Sequence, residues 1–232
     1  MTFDQILGHA RQKEILSRSL ASGRLAHAYL FSGPDGVGKR LMALALARAI
    51  VCHEQRGCGD CQACRKIDHR NHPDLHVLEP DGNSIKIEQV RSLQKGLNLK
   101  PLEAPRKICL IEAADSMTLG AANALLKTLE EPPPYVLFIF ATTEPNKVLP
   151  TILSRCQRFD FRRISVPEIV ERLKDICQEE DITADEASLL LIARKGDGAL
   201  RDARSFVIDL ESATFRDTPI VRTTSLVAPR RS

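Results

Sequence analysis

The chain of 232 residues has no tryptophan, and aromatic residues make up only 4% of it. This scarcity disfavours a nucleic-acid surface that stacks bases on aromatic rings. Lys and Arg number 33 against 30 Asp and Glu, so the formal charge of +3 provides no overall basic field. Any nucleic-acid contact would therefore need a local patch. No apolar run is long enough to span a bilayer, and the N-terminal residues lack a signal-peptide pattern. We expect a cytoplasmic protein with no membrane contact.

A glycine-rich stretch at residues 33–40 nearly matches the phosphate-binding pattern G-x-x-x-x-G-K-[ST]. It lies between a short apolar run at 28–31 and an apolar helical segment at 41–51, which is the strand–loop–helix context of this motif. The final position departs from the pattern, because an arginine stands where a hydroxyl would hold Mg²⁺. The alternative is a glycine-rich turn that merely caps a helix. The residues expected to contact a nucleotide are Gly33, Gly36, Val37, Gly38, Lys39 and Arg40.

Hydrolysis by such a site needs an acidic residue for Mg²⁺ at the end of a second apolar strand, usually followed by a Glu that polarises water. The strand at 108–111 is followed by Glu112, which is one methylene longer than Asp. The next residue, Ala113, cannot accept a proton. Together with Arg40, these are three departures in the hydrolytic half of the site. They favour binding of ATP or ADP without efficient hydrolysis and disfavour Mg²⁺.

Alternating short apolar runs and helical stretches predict an α/β domain with a mostly parallel sheet over residues 1–162. The predicted strands are 28–31, 75–78, 108–111, 136–141 and 157–161, and the predicted helices between them include 87–97 and 119–129. A small all-helical second domain is expected at 163–212. Capping-box patterns at 165–168 and 183–186 predict helices at about 166–179 and 184–194, and a third is expected at about 199–211. Residues 213–232 show no clear period and are expected to form an irregular tail.

Four of the seven cysteines fall within thirteen residues: Cys52, Cys58, Cys61 and Cys64. In a reducing compartment such clustering indicates metal binding rather than disulfides, and four thiolates suit a structural Zn²⁺ in a module at about 52–64. An iron–sulfur cluster is one alternative, although the C-x3-C-P ending of ferredoxin-type sites is missing. Replacement of one cysteine ligand by a nearby histidine (His53, His69 or His72) is another.

Three further motifs carry a resemblance to a known family. Residues 123–133 read NALLKTLEEPP, residues 141–143 read ATT, and residues 153–156 read LSRC. In combination they resemble bacterial clamp-loader subunits, which are AAA+ proteins of the DNA polymerase III holoenzyme. The likeness covers about residues 3–210, and the degenerate hydrolytic motif is more similar to delta-prime subunits than to the gamma/tau ATPase subunits. The family also has a zinc module after the phosphate-loop helix.

The resemblance implies roles for three more residues. Arg155 would be an arginine finger that reaches the nucleotide site of a neighbouring subunit. The alternative is an ordinary surface arginine in a loop. Thr142 or Thr143 would be the sensor residue at a strand end, or simply a strand-end hydroxyl. Arg201 would be a second sensor on the lid domain, lying over the phosphates, or a solvated helix residue.

The resemblance therefore implies a subunit that helps to load the sliding clamp onto primed DNA. Its partners would be the gamma/tau ATPase subunits, the delta subunit, the clamp and primer-template DNA. Family members continue into a helical collar domain, and residues 213–232 are too few to form it. Two alternatives stay open. One is an active ATPase subunit of the same loader, and the other is a zinc-containing nucleic-acid-binding module with a vestigial phosphate loop.

Overall fold

The computed structural model describes residues 2–179, 183–195 and 221–222. The contacts within the chain divide it into two compact units, Met1–Arg162 and Arg163–Ser232. Arg201, the helix expected at about 199–211 and most of the expected tail lie outside the described residues. In the part of the chain that is described, no helix has the length and apolar character needed to cross a membrane.

The first unit is an α/β domain built on a five-stranded parallel sheet with the order β2-β3-β4-β1-β5. The strands are β1 Ala28–Ser32, β2 Leu75–Leu78, β3 Lys107–Ile111, β4 Val136–Thr142 and β5 Gln157–Asp160. The helices are α1 Ala10–Ala21, α2 Lys39–Val51, α3 Gln62–Asp68, α4 Ile87–Leu97, α5 Leu119–Glu130 and α6 Pro150–Leu153. The strands lie where the apolar runs predicted them, and the parallel α/β class is confirmed.

The central strands are apolar on both faces because helices cover the sheet on both sides. Every residue of β1, β3 and β4 is buried. Since successive side chains of a strand point to opposite faces, Tyr29 and Phe31 pack in one core cluster while Ala28 and Leu30 pack in the other. At the edge, β5 buries only Phe159.

Parallel strands bring their carboxyl ends to the same edge of the sheet. Leu78 of β2 pairs with Ile111 of β3, and Ser32 of β1 pairs with Thr142 of β4. The loop at 33–38 therefore begins at the same edge as the residues that follow β2 and β3. Ligands bind at this edge in open α/β sheets, and the candidate nucleotide site lies there.

The second unit contains α7 Val166–Glu179 and α8 Glu186–Lys195, together with a short antiparallel pair of β6 Thr183–Ala184 and β7 Val221–Arg222. The carboxylate of Glu168 accepts hydrogen bonds from the backbone N–H and the hydroxyl of Ser165, at 3.1 and 2.6 Å, before α7. The cap of α8 differs from the prediction. Asp185, rather than Thr183, caps this helix by accepting the backbone N–H of Ser188 at 3.0 Å.

Candidate nucleotide and metal sites

The loop between β1 and α2 has the backbone of a phosphate-binding loop. Gly38 caps α2 with a φ of 101°, a left-handed conformation that favours glycine. Gly33 is required for a second reason, since a Cβ atom there would lie 2.4 Å from the carbonyl oxygen of Phe161. The first glycine of the motif therefore allows the loop to pass directly over the backbone beyond β5.

Lys39 is the first residue of α2 and is buried, with a relative exposure of 8%. Its ammonium group donates hydrogen bonds to the carbonyl oxygens of Gly33 and Pro34, at 2.7 and 2.6 Å. The lysine thus folds across the inside of the loop. A charged amine and the N-terminal end of α2 therefore lie together at the loop, and this combination suits phosphate binding.

Arg40 extends from α2 to the carboxyl ends of two neighbouring strands. Its Nη2 donates to Oε1 of Glu79, just after β2, at 2.8 Å. Its Nε lies 2.8 Å from Oε1 of Glu112, just after β3. This second contact is an ion pair whose N–H is not aligned for a hydrogen bond. Arg70 also contacts Oε1 of Glu79, at 3.3 Å.

The acidic residue expected at the magnesium position is thus already paired with a cation. The Glu112 side chain is 17% exposed. Burial raises the pKa of Glu112 above its usual value, and the Arg40 guanidinium opposes the rise while Glu79 adds to it. The next residue, Ala113, has a left-handed backbone with a φ of 47°, which is uncommon for a residue other than Gly, Asn or Asp. Its methyl group offers no base.

Thr142, at the end of β4, is buried, whereas the neighbouring Thr143 is exposed. The Thr142 hydroxyl donates a hydrogen bond to Oδ1 of Asp115 and accepts the backbone N–H of Glu144, the latter at 3.0 Å. The geometry therefore favours Thr142 over Thr143 as the strand-end hydroxyl of the site. It also links that hydroxyl to the short 3-10 helix at Ala114–Ser116, which begins two residues after Glu112.

Arg155 lies in the turn between α6 and β5 and is 32% exposed. Its Nη2 donates to Oε1 of Glu130, the last residue of α5, at 2.9 Å. Its Nη1 donates to the carbonyl oxygen of Thr151 at 2.7 Å. Both ends of the guanidinium are therefore fixed, and the group remains accessible to solvent.

The four clustered cysteines come together in three dimensions. Their sulfur atoms all lie within 4.8 Å of one another, and Cys52 Sγ is 3.6 Å from Cys58 Sγ. A tetrahedral Zn²⁺ with Zn–S bonds of about 2.3 Å places its sulfurs about 3.8 Å apart, so the donor set fits a single ion. The larger core of an iron–sulfur cluster would hold the sulfurs further apart.

Local backbone structure positions these sulfurs. Cys52 is the C-cap of α2 and Cys61 is the N-cap of α3. The backbone N–H of Cys58 donates to Cys52 Sγ, and that of Cys64 donates to Cys61 Sγ, both at 3.4 Å. Burial opposes ionisation of Cys52, but hydrogen bonds from the backbone of Cys58 and Glu54 lower its thiol pKa to about 6. A thiolate at this position is the form that binds metal.

Among the described residues, the group able to hold a metal contains the four cysteines and no histidine. His72, one of the three histidines considered as a replacement ligand, is buried, and its Nδ1 accepts the backbone N–H of Asp74 at 3.1 Å. The structure thus favours the all-cysteine set.

Sequence reasoning missed two residues of the nucleotide site. Glu79 directly follows β2, as Glu112 follows β3, and the backbone N–H of Glu112 bonds to the carbonyl of Leu78 at 2.9 Å. The signal was an acidic residue directly after each of two predicted strands. The second missed residue is Asp115, whose carboxylate accepts the hydrogen bond of the Thr142 hydroxyl.

The fold and the loop define the class of protein. A parallel sheet with a phosphate-binding loop after β1, an acidic residue after β3 and a hydroxyl at the end of β4 is the nucleotide-binding domain of an AAA+ protein. The family model described as "DNA polymerase III, delta subunit" matches residues 8–165. The model described as "DNA polymerase III clamp loader subunit, ATPase lid domain" matches residues 168–207. The chain belongs to the clamp-loader family of DNA polymerase III.

Relatives from both branches of this family are similar to the chain. It is 38% identical over 208 residues to DNA polymerase III subunit tau of Bacillus subtilis, covering 88% of this chain and 37% of that protein. It is 41% identical over 182 residues to subunit delta' of the same organism, covering 78% of this chain and 54% of that protein. The chain spans about a third of the length of the tau relatives it matches.

Solved structures agree on the fold. A gamma-subunit-related protein of Thermotoga maritima superposes with a TM-score of 0.58 at 26% identity, over 88% of this chain and 62% of that chain. The RuvB Holliday junction branch migration motor of the same organism has a TM-score of 0.66 at 19% identity, over 93% of this chain and 67% of that chain. The RuvB likeness concerns the fold alone.

Proposed function

We propose that this chain is a clamp-loader subunit of the replicative DNA polymerase III that serves a neighbouring ATPase subunit and does not hydrolyse ATP efficiently itself. It acts with gamma/tau and delta subunits to place the sliding clamp on primer-template DNA. The observation that carries the proposal is the contrast between two of its arginines, Arg40 and Arg155. Arg40 neutralises the acidic residue of its own site, while Arg155 is held at the surface, where it can serve another site.

The chain's own site lacks two parts of the hydrolytic machinery. A hydroxyl after the phosphate-loop lysine and a carboxylate at a strand end normally hold Mg²⁺. Here Arg40 replaces the first and is paired with the second, Glu112, at 2.8 Å. Ala113 cannot orient or deprotonate water. Lys39 and the glycine loop are still suited to hold phosphate groups, so we propose that the loop binds ATP or ADP.

Arg155 has the properties of a finger that acts in trans. An arginine placed at the transferring phosphoryl group stabilises the charge that develops there, which is worth about 10³–10⁵ in rate. Such a residue must be solvent-accessible before assembly and oriented in advance. Arg155 is 32% exposed, and its guanidinium is fixed by Glu130 and by the carbonyl of Thr151. Thr142 and Arg201 are proposed as the two sensors of the chain's own nucleotide.

The cysteine module is proposed as a structural zinc site. Cys52, Cys58, Cys61 and Cys64 would hold the ion, which would cross-link the end of α2 to the start of α3. The four-sulfur set has no place left for a substrate, as expected of a structural rather than a catalytic zinc.

The test is reconstitution with the ATPase subunits of the loader, followed by measurement of ATP turnover and clamp loading. Arg155→Ala should lower turnover at the neighbouring subunit's nucleotide site by about 10³ while the complex still assembles. Arg18→Ala is a matched control, because Arg18 is 78% exposed on α1 and pairs with Glu14 one turn earlier on the same helix. Unchanged turnover in the Arg155→Ala complex would refute the finger role.

A second candidate is an active ATPase subunit of the gamma/tau kind. The similarity to tau relatives and the presence of a carboxylate at the end of β3 favour it. This alternative predicts steady ATP turnover by the isolated chain that Lys39→Ala abolishes. Our proposal predicts turnover at background level in both proteins.

A further inference from the structure

A guanidinium lies where a phosphate-loop ATPase holds its metal ion. Two atoms of Arg40 each lie 2.8 Å from a carboxylate oxygen, one on Glu79 and one on Glu112. These carboxylates follow adjacent parallel strands, whose last residues Leu78 and Ile111 are register partners. The arginine therefore bridges two strand ends directly beside the phosphate loop.

Mg²⁺ does not fit the residues present. It requires near-octahedral oxygen ligands at about 2.0–2.1 Å, and the hydroxyl that would supply one of them is replaced by the Arg40 side chain. The carboxylate that would supply another is 17% exposed and already has the guanidinium beside it. To admit the ion, both ion pairs would have to break and a like charge would have to be accommodated.

The arginine supplies part of what the ion would have supplied. Its positive charge does not depend on pH in the working range, and its planar fork has five N–H donors. Only two of its nitrogen atoms face Glu79 and Glu112, and the side chain is 37% exposed. Arg70 adds a second cation at Glu79, so the two carboxylates and two guanidiniums balance in charge. A phosphate in the loop would not face uncompensated carboxylates.

We propose that the loop binds a nucleoside di- or triphosphate as the free polyanion, without a divalent cation, and that Arg40 takes the place of the metal. The inference rests on the proposed function only in that the loop holds a nucleotide. It adds that occupancy is independent of Mg²⁺, so the chain would retain nucleotide under conditions in which an ATPase subunit releases it.

The experiment measures the affinity of the full chain for a fluorescent ADP analogue by anisotropy, with and without added Mg²⁺. Divalent cations should be removed by gel filtration rather than by a chelator, because a chelator would also strip the cysteine cluster. We expect the wild-type affinity to change less than twofold. Lys39→Ala should abolish binding in both buffers, which locates the ligand at the loop.

Arg40→Thr restores the hydroxyl and frees Glu112, while Arg70 stays beside Glu79. This variant should bind the analogue about tenfold more tightly with Mg²⁺ than without it. Arg18→Gln is the matched control, because it removes an exposed arginine on α1 that pairs with Glu14 and not with Glu79 or Glu112, and it should keep the wild-type behaviour. If Arg40→Thr fails to fold, the Mg²⁺ titration of the wild-type chain still shows whether nucleotide binding depends on the metal.

A wild-type affinity that rises about tenfold or more with Mg²⁺ would overturn the inference, and so would the absence of binding in both buffers. Neither result touches the role of Arg155, which is measured at the partner's nucleotide site. Conversely, unchanged turnover in the Arg155→Ala complex would refute the finger role and leave the proposal of metal-independent binding intact. Mg²⁺ dependence and the finger role of Arg155 therefore fail separately, whereas absence of binding in both buffers would also refute the proposal that the loop holds ATP or ADP.

Discussion

The guanidinium of Arg155 and the carboxylate of Glu130 form an ion pair of 2.9 Å that joins the turn after α6 to the end of α5. The pair connects two of the motifs by which the chain resembles its family, NALLKTLEEPP and LSRC. Glu130 is 53% exposed, so the pair contributes little to stability. Its value lies in orienting the arginine.

Glu130→Ala should therefore slow the reconstituted loader without destabilising the chain. An exposed ion pair is worth at most about 1 kcal/mol, so we expect turnover to fall by about fivefold or less and the melting temperature to stay nearly constant. Glu131→Ala, which changes the same charge one residue away, is the control. On an Arg155→Ala background the Glu130 substitution should have no further effect, and an additive loss would mean that Glu130 acts independently.

Zinc content should depend on the cysteine cluster and not on the other cysteines. The purified chain should contain about one zinc ion, as a four-sulfur site binds. Cys58→Ser should lose it, because an alcohol does not ionise to replace a thiolate. Cys177→Ala, on α7, should retain the ion. Elemental analysis of the folded proteins measures the zinc content of each variant, and retention of zinc by Cys58→Ser would contradict the proposed ligands.

Gly33 and Gly23 offer a comparison between steric clash and backbone strain. Both have positive φ, at 154° and 67°, but only at Gly33 would a Cβ atom meet a backbone atom, the Phe161 carbonyl, at 2.4 Å. Gly23→Ala should cost about 1–2 kcal/mol from strain alone, and Gly33→Ala about 1–3 kcal/mol more. Denaturant unfolding of the two variants measures the difference. Equal losses would show that the loop can move away from Phe161.

The stability of the first unit should fall on mild acidification. Burial lowers the pKa of His72 below its ordinary 6.5, while the charges of Asp74 and Glu103 raise it and that of Lys66 lowers it. The unfolded chain therefore binds a proton that the folded chain excludes. His72 then contributes stability that is fully present above about pH 6.5 and is lost as pH falls toward the folded pKa.

His72→Asn should flatten this slope, because an Asn oxygen can accept the same N–H two residues on but does not titrate. A single proton is worth about 1.4 kcal/mol per pH unit. Urea unfolding at several pH values between about 7 and 5 measures the slope, with His27→Asn, at an exposed position, as the control. If the stability of His72→Asn falls with pH as steeply as that of the wild type, the effect belongs to other groups. One of them is His76, whose pKa is also lowered by burial.

The parts of this molecule that sequence predicted are those that depend on local pattern. Apolar runs such as the one at 136–141 predicted the buried strands, because central strands of a covered sheet are apolar on both faces. The spacing of the four cysteines predicted the metal-competent cluster. The glycine-rich motif at 33–40 predicted a loop between a strand and a helix, and it lies between β1 and α2.

The missed features depend on neighbours that are distant in sequence. Glu79 joins the site because β2 pairs with β3, and no local signal reports that pairing. The need for glycine at position 33 comes from Phe161, which packs there from beyond β5. Thr183 and Ala184 pair with residues 221–222 rather than opening α8. In each case tertiary contacts, not local propensity, determined the structure.

Helix α2 links the phosphate-binding loop motif to the cysteine cluster, the two parts of the domain proposed to bind ligands. Lys39 begins it and Cys52 caps its end, with ten of its thirteen residues buried. At 1.5 Å per residue it is a rod of about 20 Å, anchored by the loop at one end and by a sulfur ligand at the other. Fraying of the last turn, which costs an ordinary helix little, would here move Cys52 away from the other three cysteines of the proposed zinc site. A zinc ion held by the proposed site would act as a distant brace that keeps the helix, and with it the lysine, from moving along its axis.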